Sequence, residues 1–290
     1  MNLSEKIHEK LLVYQRNEIT EYHIYQKLAR TVKAPENRRI LEDIAQDELR
    51  HYRVWQAYTG QEVAPDKLRI WKYYLISRIF GFTFGLKLLE RGEAGAQGSY
   101  AQLGEIIPEA DAIAHNENDH EAALLKLLDE DRLRYIGSVV LGLNDALVEL
   151  TAVLAGLTLA LQNTQLIALT GSITGIAAAL SMGASEYLST KTEETVQSPL
   201  RAALYTVSAY LITVIILILP YLILKNYYLC LSCTLGGAVL IIAFFTYYIS
   251  VAREAPFKRR FLEMAGLSFT VAAFSFLMGF IMRTFLDIEI

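Results

Sequence analysis

From about residue 135 to the end, the chain is a succession of long apolar stretches separated by short polar turns. Nothing else constrains its fold as much. Segments 135–161, 166–188, 204–224, 229–252 and 264–282 each suit the ~20 apolar residues a membrane-spanning helix needs. Segments 204–224 and 229–252 hold no charge at all. Residues 1–134 carry 19 of the 27 Lys and Arg, 22 of the 31 Asp and Glu, and all five His. This partition excludes a single soluble globule, a disordered chain and a coiled-coil rod. It predicts an all-α protein in two domains: a polar helical domain over 1–131 and a membrane domain over 132–290. A net charge of -4 offers no basic footprint, so nucleic acid is not an expected partner.

Two cysteines make neither a disulfide framework nor a four-cysteine metal site. Cys230 and Cys233 form a C-x-x-C inside an apolar span, which reads as two helix-face thiols rather than a redox motif. The first residues, Met1 to Lys6, have no apolar core, so no cleaved signal peptide is expected. Basic residues set the orientation. Arg132, Arg134, Lys191, Arg201, Arg253, Lys258, Arg259 and Arg260 fall on one side of the spans, against Lys225 and Arg283 on the other. The positive-inside rule then places the polar domain in the cytoplasm and Ile290 outside, in the cell (inner) membrane. Pro220 is tolerable within a span where neighbours satisfy the carbonyl it frees.

Ionisable groups within spans are expensive and carry a functional reading by default. Asp145 and Glu149 stand four apart on one helix face, as do Met182 and Glu186 on the next span. Carboxylates accept divalent cations, and a thioether suits transition metals. Two plainer readings stay open: Met182 as core filler and Glu186 snorkelling to the interface. Small residues recur every four positions at Gly171, Gly175, Ala179 and Gly183, a ridge that lets another helix approach closely.

The polar half reads as four long helices, over about 5–32, 35–58, a third ending near 103, and a fourth opening after Pro108. An extra apolar and basic segment, 68–80, precedes the third helix and is bounded by Gly81 and Gly85; it suits either a membrane surface or the side of the bundle. Glu48-Leu-Arg-His51 and Glu117-Asn-Asp-His120 each put a carboxylate and an imidazole one turn apart. Glu18 precedes Tyr25 by seven residues, and Glu93 precedes Tyr100 by seven; Glu90 adds a carboxylate one turn before Glu93. Two Glu-x-x-His helices, with inward Glu on the other two, are the ligand set of a di-iron four-helix bundle. Glu90 reads either as a ligand or as a group supporting one. Glu21, Glu42, Asp47, Glu121, His8, His23 and His115 read as surface or supporting groups.

Two resemblances follow from these residues. Gly142-Leu-Asn-Asp145-Ala-Leu-Val-Glu149 with Leu180-Ser-Met-Gly-Ala-Ser-Glu186-Tyr-Leu-Ser resembles the first two helices of the vacuolar iron transporter family. The resemblance implies a five-helix, homodimeric antiporter of ferrous iron and protons, with Asp145 and Met182 lining the ion path. Plant-type members carry a long Glu-rich insert between helices two and three; here only 190–201 stands there, with Glu193 and Glu194. Arg16-Asn-Glu18, Asp47-Glu48-Leu-Arg-His51, Glu90-Arg-Gly-Glu93 and Glu117-Asn-Asp-His120 resemble the ferritin-like superfamily, in particular the erythrin domain of rubrerythrin. That resemblance implies a cytosolic ferritin-like four-helix bundle in which Glu18, Glu48, His51, Glu90, Glu93, Glu117 and His120 hold two iron ions, with alternative ligation at Glu93 and His51. Manganese or zinc are substitutes the same ligands accept. Rubrerythrin's four-cysteine electron donor is missing. Together the halves resemble the erythrin–transporter fusions, or membrane-bound ferritins. The combined expectation is an exporter of cytoplasmic iron serving iron homeostasis, with Asp145, Glu149, Met182 and Glu186 on the transport path. A membrane-anchored ferroxidase or peroxide scavenger and a manganese exporter are the alternatives.

Overall fold

A computed structural model describes residues 5–32, 34–103, 107–126, 135–193, 197–253 and 255–286. The side chains of 93–103, 118, 121, 122, 125, 126 and 286 lie outside the described set, although their backbones are helical. All ten elements among the described residues are α-helices. They fall in two compact units, Met1–Glu130 and Asp131–Ile290.

The first unit holds α1 (Glu5–Ala29), α2 (Pro35–Thr59), α3 (Lys67–Phe80), α4 (Phe82–Leu103) and α5 (Glu109–Lys126). Pro35 opens α2, where its missing N–H costs no helical bond. Gly60 closes it in the left-handed region (φ 69°), with its N–H on the Gln56 carbonyl. The 68–80 segment is a helix in its own right. Asp66 caps it by accepting from the Arg69 N–H at 3.0 Å, and Gly81, at φ 101°, turns the chain into α4. Gly85, expected as a second break, is an ordinary helical residue of α4. A side chain there would collide with Ser77, so it is small because α3 and α4 pack closely.

Two apolar clusters bracket a polar layer. Leu11, Tyr14, Trp55, Ile107 and Ile113 form one. Ile24, Tyr25, Leu28, Leu41, Ile44, Leu89 and Leu124 belong to the other. Glu18 lies between the two sets along α1, Glu48 and His51 between them along α2, and Glu117 and His120 between them along α5. Running the helices in alternating directions therefore assembles these five residues at one level.

The second unit holds α6 (Ile136–Leu161), α7 (Thr164–Thr192), α8 (Pro199–Ile223), α9 (Tyr227–Ala252) and α10 (Phe257–Leu286). All five are long and apolar enough to cross a membrane. The last begins seven residues before the expected span, carrying Lys258, Arg259 and Arg260 into its first turn. Asn163 and Asn226 cap α7 and α9 by accepting two backbone N–H groups each. The core gathers Leu147, Leu150, Leu154, Tyr210, Val214, Leu217 and Ile242. The small-residue ridge of α7 is consumed within this unit: side chains at Gly175 and Gly183 would strike Val214 and Val207 of α8. A tighter crossing joins α6 to α10, where Gly279 faces the Gly156 backbone. At the Pro220 step, the Thr234 hydroxyl donates to the Leu217 carbonyl at 2.8 Å and the Cys230 thiol to that of Pro220 at 3.4 Å. Cys230 is thus a buried packing residue, and Cys233 is exposed.

Candidate metal centre

Glu18 of α1, Glu48 and His51 of α2, and Glu117 of α5 each bring one ligand atom to within 4.8 Å of all the others. His51 Nδ1 stands 3.1 Å from Glu117, 3.5 Å from Glu18 and 3.7 Å from Glu48. His120 joins from α5, with Nδ1 at 3.3 Å from Glu48 and 3.7 Å from Glu117. The two imidazole centroids are 5.9 Å apart. Glu18 and Glu48 are buried almost completely, at 2% and 1% exposure. Two carboxylates so far from water need compensating positive charge.

In the metal-free centre the histidines supply that charge. Burial pulls His51 down, but the Glu117, Glu18 and Glu48 carboxylates override it and hold the imidazole up at about 12. His120 is likewise desolvated, yet Glu117 and Glu48 raise it to about 10. Burial works against the Glu117 charge, but His120 and His51 bring that carboxyl down to about 2. Glu48 moves the other way: burial and then the Glu117 charge raise it well above the ordinary carboxyl range.

Proximity here is not hydrogen bonding. His51 Nδ1, His120 Nδ1 and Glu48 Oε2 are fully buried, and none makes a well-aligned hydrogen bond among the described residues. Carboxylate oxygens and imidazole nitrogens converging in this way become the lone-pair shell of a cation once the histidines give up their protons. The donor set, carboxylate oxygen with imidazole, suits iron, manganese or zinc, and the residues present fit such an ion.

Surrounding groups fix the ligands. Trp55 donates its indole N–H to Glu18 Oε1 at 3.0 Å. Asp47 Oδ2 lies 3.0 Å from His120 Nε2, which directs Nδ1 toward the cluster. Asp47 also pairs with Arg50. Asp47, read from the sequence as a surface or supporting group, stands here as a support for His120; its partner is on another helix, so no local spacing identifies it. Trp55, four residues after His51 on the same helix face, was findable from the sequence. Tyr25 donates to Glu90 Oε1 at 3.4 Å, so Glu90 is joined to α1. Glu93 and Tyr100 have their side chains outside the described residues, as does Glu121. Glu21, read as a surface or supporting group, is 4% exposed and pairs with Arg69 at 3.2 Å.

In the membrane unit, Asp145 is half-buried on α6. Glu149 accepts the Tyr210 hydroxyl at 2.9 Å, and Glu186 accepts that of Ser138 at 2.6 Å. These bonds give each carboxylate a polar neighbour inside an apolar unit and tie α6 to α8 and α7. Met182 packs against the unit's hydrophobic core. No cluster of three or more His, Cys, Asp or Glu ligand atoms forms here among the described residues.

A VIT family model matches residues 136–197, a stretch that runs through α6 and α7 and includes all four of these residues. No curated protein and no solved structure matches the chain. Five apolar helices and this match define an integral membrane protein.

Proposed function

We propose that the chain is a metal-ion transporter that exports ferrous iron from the cytoplasm by proton antiport, with a metal-binding helical unit on the cytoplasmic side. The match of the VIT family model to 136–197, the stretch holding Asp145, Glu149, Met182 and Glu186, carries this reading. VIT is read as the vacuolar iron transporter family that those helices resemble. Asp145 is the group that exchanges a proton for a cation; Glu149 and Glu186, held by Tyr210 and Ser138, flank it on α6 and α7. A homodimer in the inner membrane, with Ile290 outside, completes the proposal.

In the first unit, Glu18, Glu48, His51 and Glu117 would hold one ion, with His120 beside them. Glu90 and Glu93 extend the set toward a di-iron centre of ferritin-like type. A bound iron pair would supply one-electron redox chemistry, or the unit would collect or sense cytoplasmic iron for the pore. The chain's own residues select the ion by charge and donor type, exclude water through the two apolar clusters, and release protons as the ion binds. The buried cluster itself favours a second reading, a membrane-anchored ferroxidase.

Purified protein in liposomes separates the two readings. Ferrous iron should move from the side bearing the N-terminal unit to the side bearing the C-terminus, faster when the C-terminal side is the more acidic, with manganese as the competing ion. Oxygen consumption with no flux would establish the ferroxidase and discard the transporter.

A further inference from the structure

Helix α3 reads Lys-Leu-Arg-Ile-Trp-Lys-Tyr-Tyr-Leu-Ile-Ser-Arg-Ile-Phe, with four basic residues and no acidic one in a chain of net charge -4. Its inner face buries Tyr73 and Ser77 against the first unit. The outer face is apolar. Leu68, Trp71, Leu75 and Ile79 recur at helical spacing and are 84%, 53%, 50% and 64% exposed. Arg69 is held by Asn17 and Glu21, while Lys67, Lys72 and Arg78 are exposed.

A second observation lies beside the first turn of α3. A cleft of about 350 Å³ is lined by His23, Gln26 and Lys27 of α1, by Arg30 just beyond its end and by Lys67, with no acidic residue among the described residues that line it. Lys27 links cleft and stripe, its Nζ standing 3.2 Å from the centroid of the Trp71 ring and 4.6 Å from that of Tyr74. A cationic cleft next to an exposed Trp-bearing apolar stripe is complementary to one kind of surface. An anionic bilayer presents phosphate at the headgroup level and hydrocarbon just below it. The chain's own spans keep a bilayer at high effective concentration.

We propose that α3 is a membrane-docking helix. Leu68, Trp71, Leu75 and Ile79 enter the boundary between headgroups and acyl chains, and the cleft between α1 and Lys67 takes a phospholipid phosphate. The first unit thereby gains an attachment to the membrane separate from its covalent link to the spans.

The test uses the full chain in nanodiscs of phosphatidylcholine, with or without one third phosphatidylglycerol, whose acyl chains are brominated near the headgroup. The two tryptophans make the readout simple: Trp55 is wholly buried in the first unit and Trp71 faces out. Quenching beyond that of a Trp71→Phe variant therefore reports Trp71 in lipid. Excess quenching is expected in the anionic discs, weakening with salt and with Lys72→Glu, and vanishing in Lys67→Glu/Lys72→Glu/Arg78→Glu. Each basic residue near an anionic surface is worth about a fivefold change in the docked population. Retained metal binding shows that the charge variants remain folded. Quenching equal to the Trp71→Phe baseline in both lipids overturns the proposal. So does undiminished quenching in the triple variant, or a cross-link between copies through Leu75→Cys with Trp71 unquenched.

Discussion

At the scale of single residues, the proposed metal centre sets protons and a cation in competition for the same atoms. His51 and His120 are raised to about 12 and about 10, so both carry a proton at neutral pH in the metal-free centre. A metal ligates neutral imidazole, so loading must release those protons. Apparent affinity should rise with pH from about 6.5 toward 10, and titration calorimetry in buffers of different ionisation enthalpy should show the released protons. A pH-independent affinity would contradict the assignment. For folding without metal the sign reverses. Because both histidines are raised, their pairs with carboxylates stabilise the unit fully below about 6.5 and lose that contribution as pH climbs through 10 to 12. Asp47 tests the surroundings of the site. Asp47→Ala frees His120 Nε2 and should weaken metal binding by about 10- to 100-fold, with Asp47→Asn recovering part of it. Unchanged affinity in metal titration would leave Asp47 as a surface group with no part in supporting the site.

At the scale of elements, periodicity located the helices well and predicted their partners poorly. The two Glu-x-x-His repeats placed Glu48, His51, Glu117 and His120 because a helix fixes what lies one turn away. By contrast, Tyr210 and Ser138 are joined to Glu149 and Glu186 across 61 and 48 residues of chain, and no local spacing encodes such a bond. Gly85 misled for a related reason: its smallness answers Ser77 on a neighbouring helix and not a turn. The α7 ridge was legible as a packing surface, but its partner is α8 of the same chain, so it lends no support to a dimer. The crossing of α6 and α10 gives a direct check. In Gly279→Ala the new methyl meets the Gly156 carbonyl, which should cost about 1–3 kcal/mol through forced separation of the helices. Gly237→Ala, with nothing within 4 Å of the added carbon, is the control. Thermal unfolding in detergent should show a lower midpoint for the first and an unchanged one for the second; equal midpoints would refute the close crossing.

At the scale of the whole molecule, the chain falls in two compact units, and most of its ionisable residues lie before residue 135 while the apolar spans lie after it. What each unit does was less legible, because a ligand shell is a property of several helices at once. The bundle concentrates carboxylates and imidazoles at a single buried level, whereas the spans distribute Asp145, Glu149 and Glu186 along two helices, with Glu149 and Glu186 held by separate hydroxyl partners. This difference suits a tight binding site in one unit and a sequence of weak, exchangeable steps in the other. The central claim is that the intramembrane carboxylate moves metal and the bundle only binds it, so the two activities should come apart. Iron bound and iron transported are therefore to be measured together in liposomes for the wild type and Asp145→Asn. The account predicts full metal occupancy of the bundle with transport abolished in the variant; flux equal to wild type would remove Asp145 from the transport path and the claim with it.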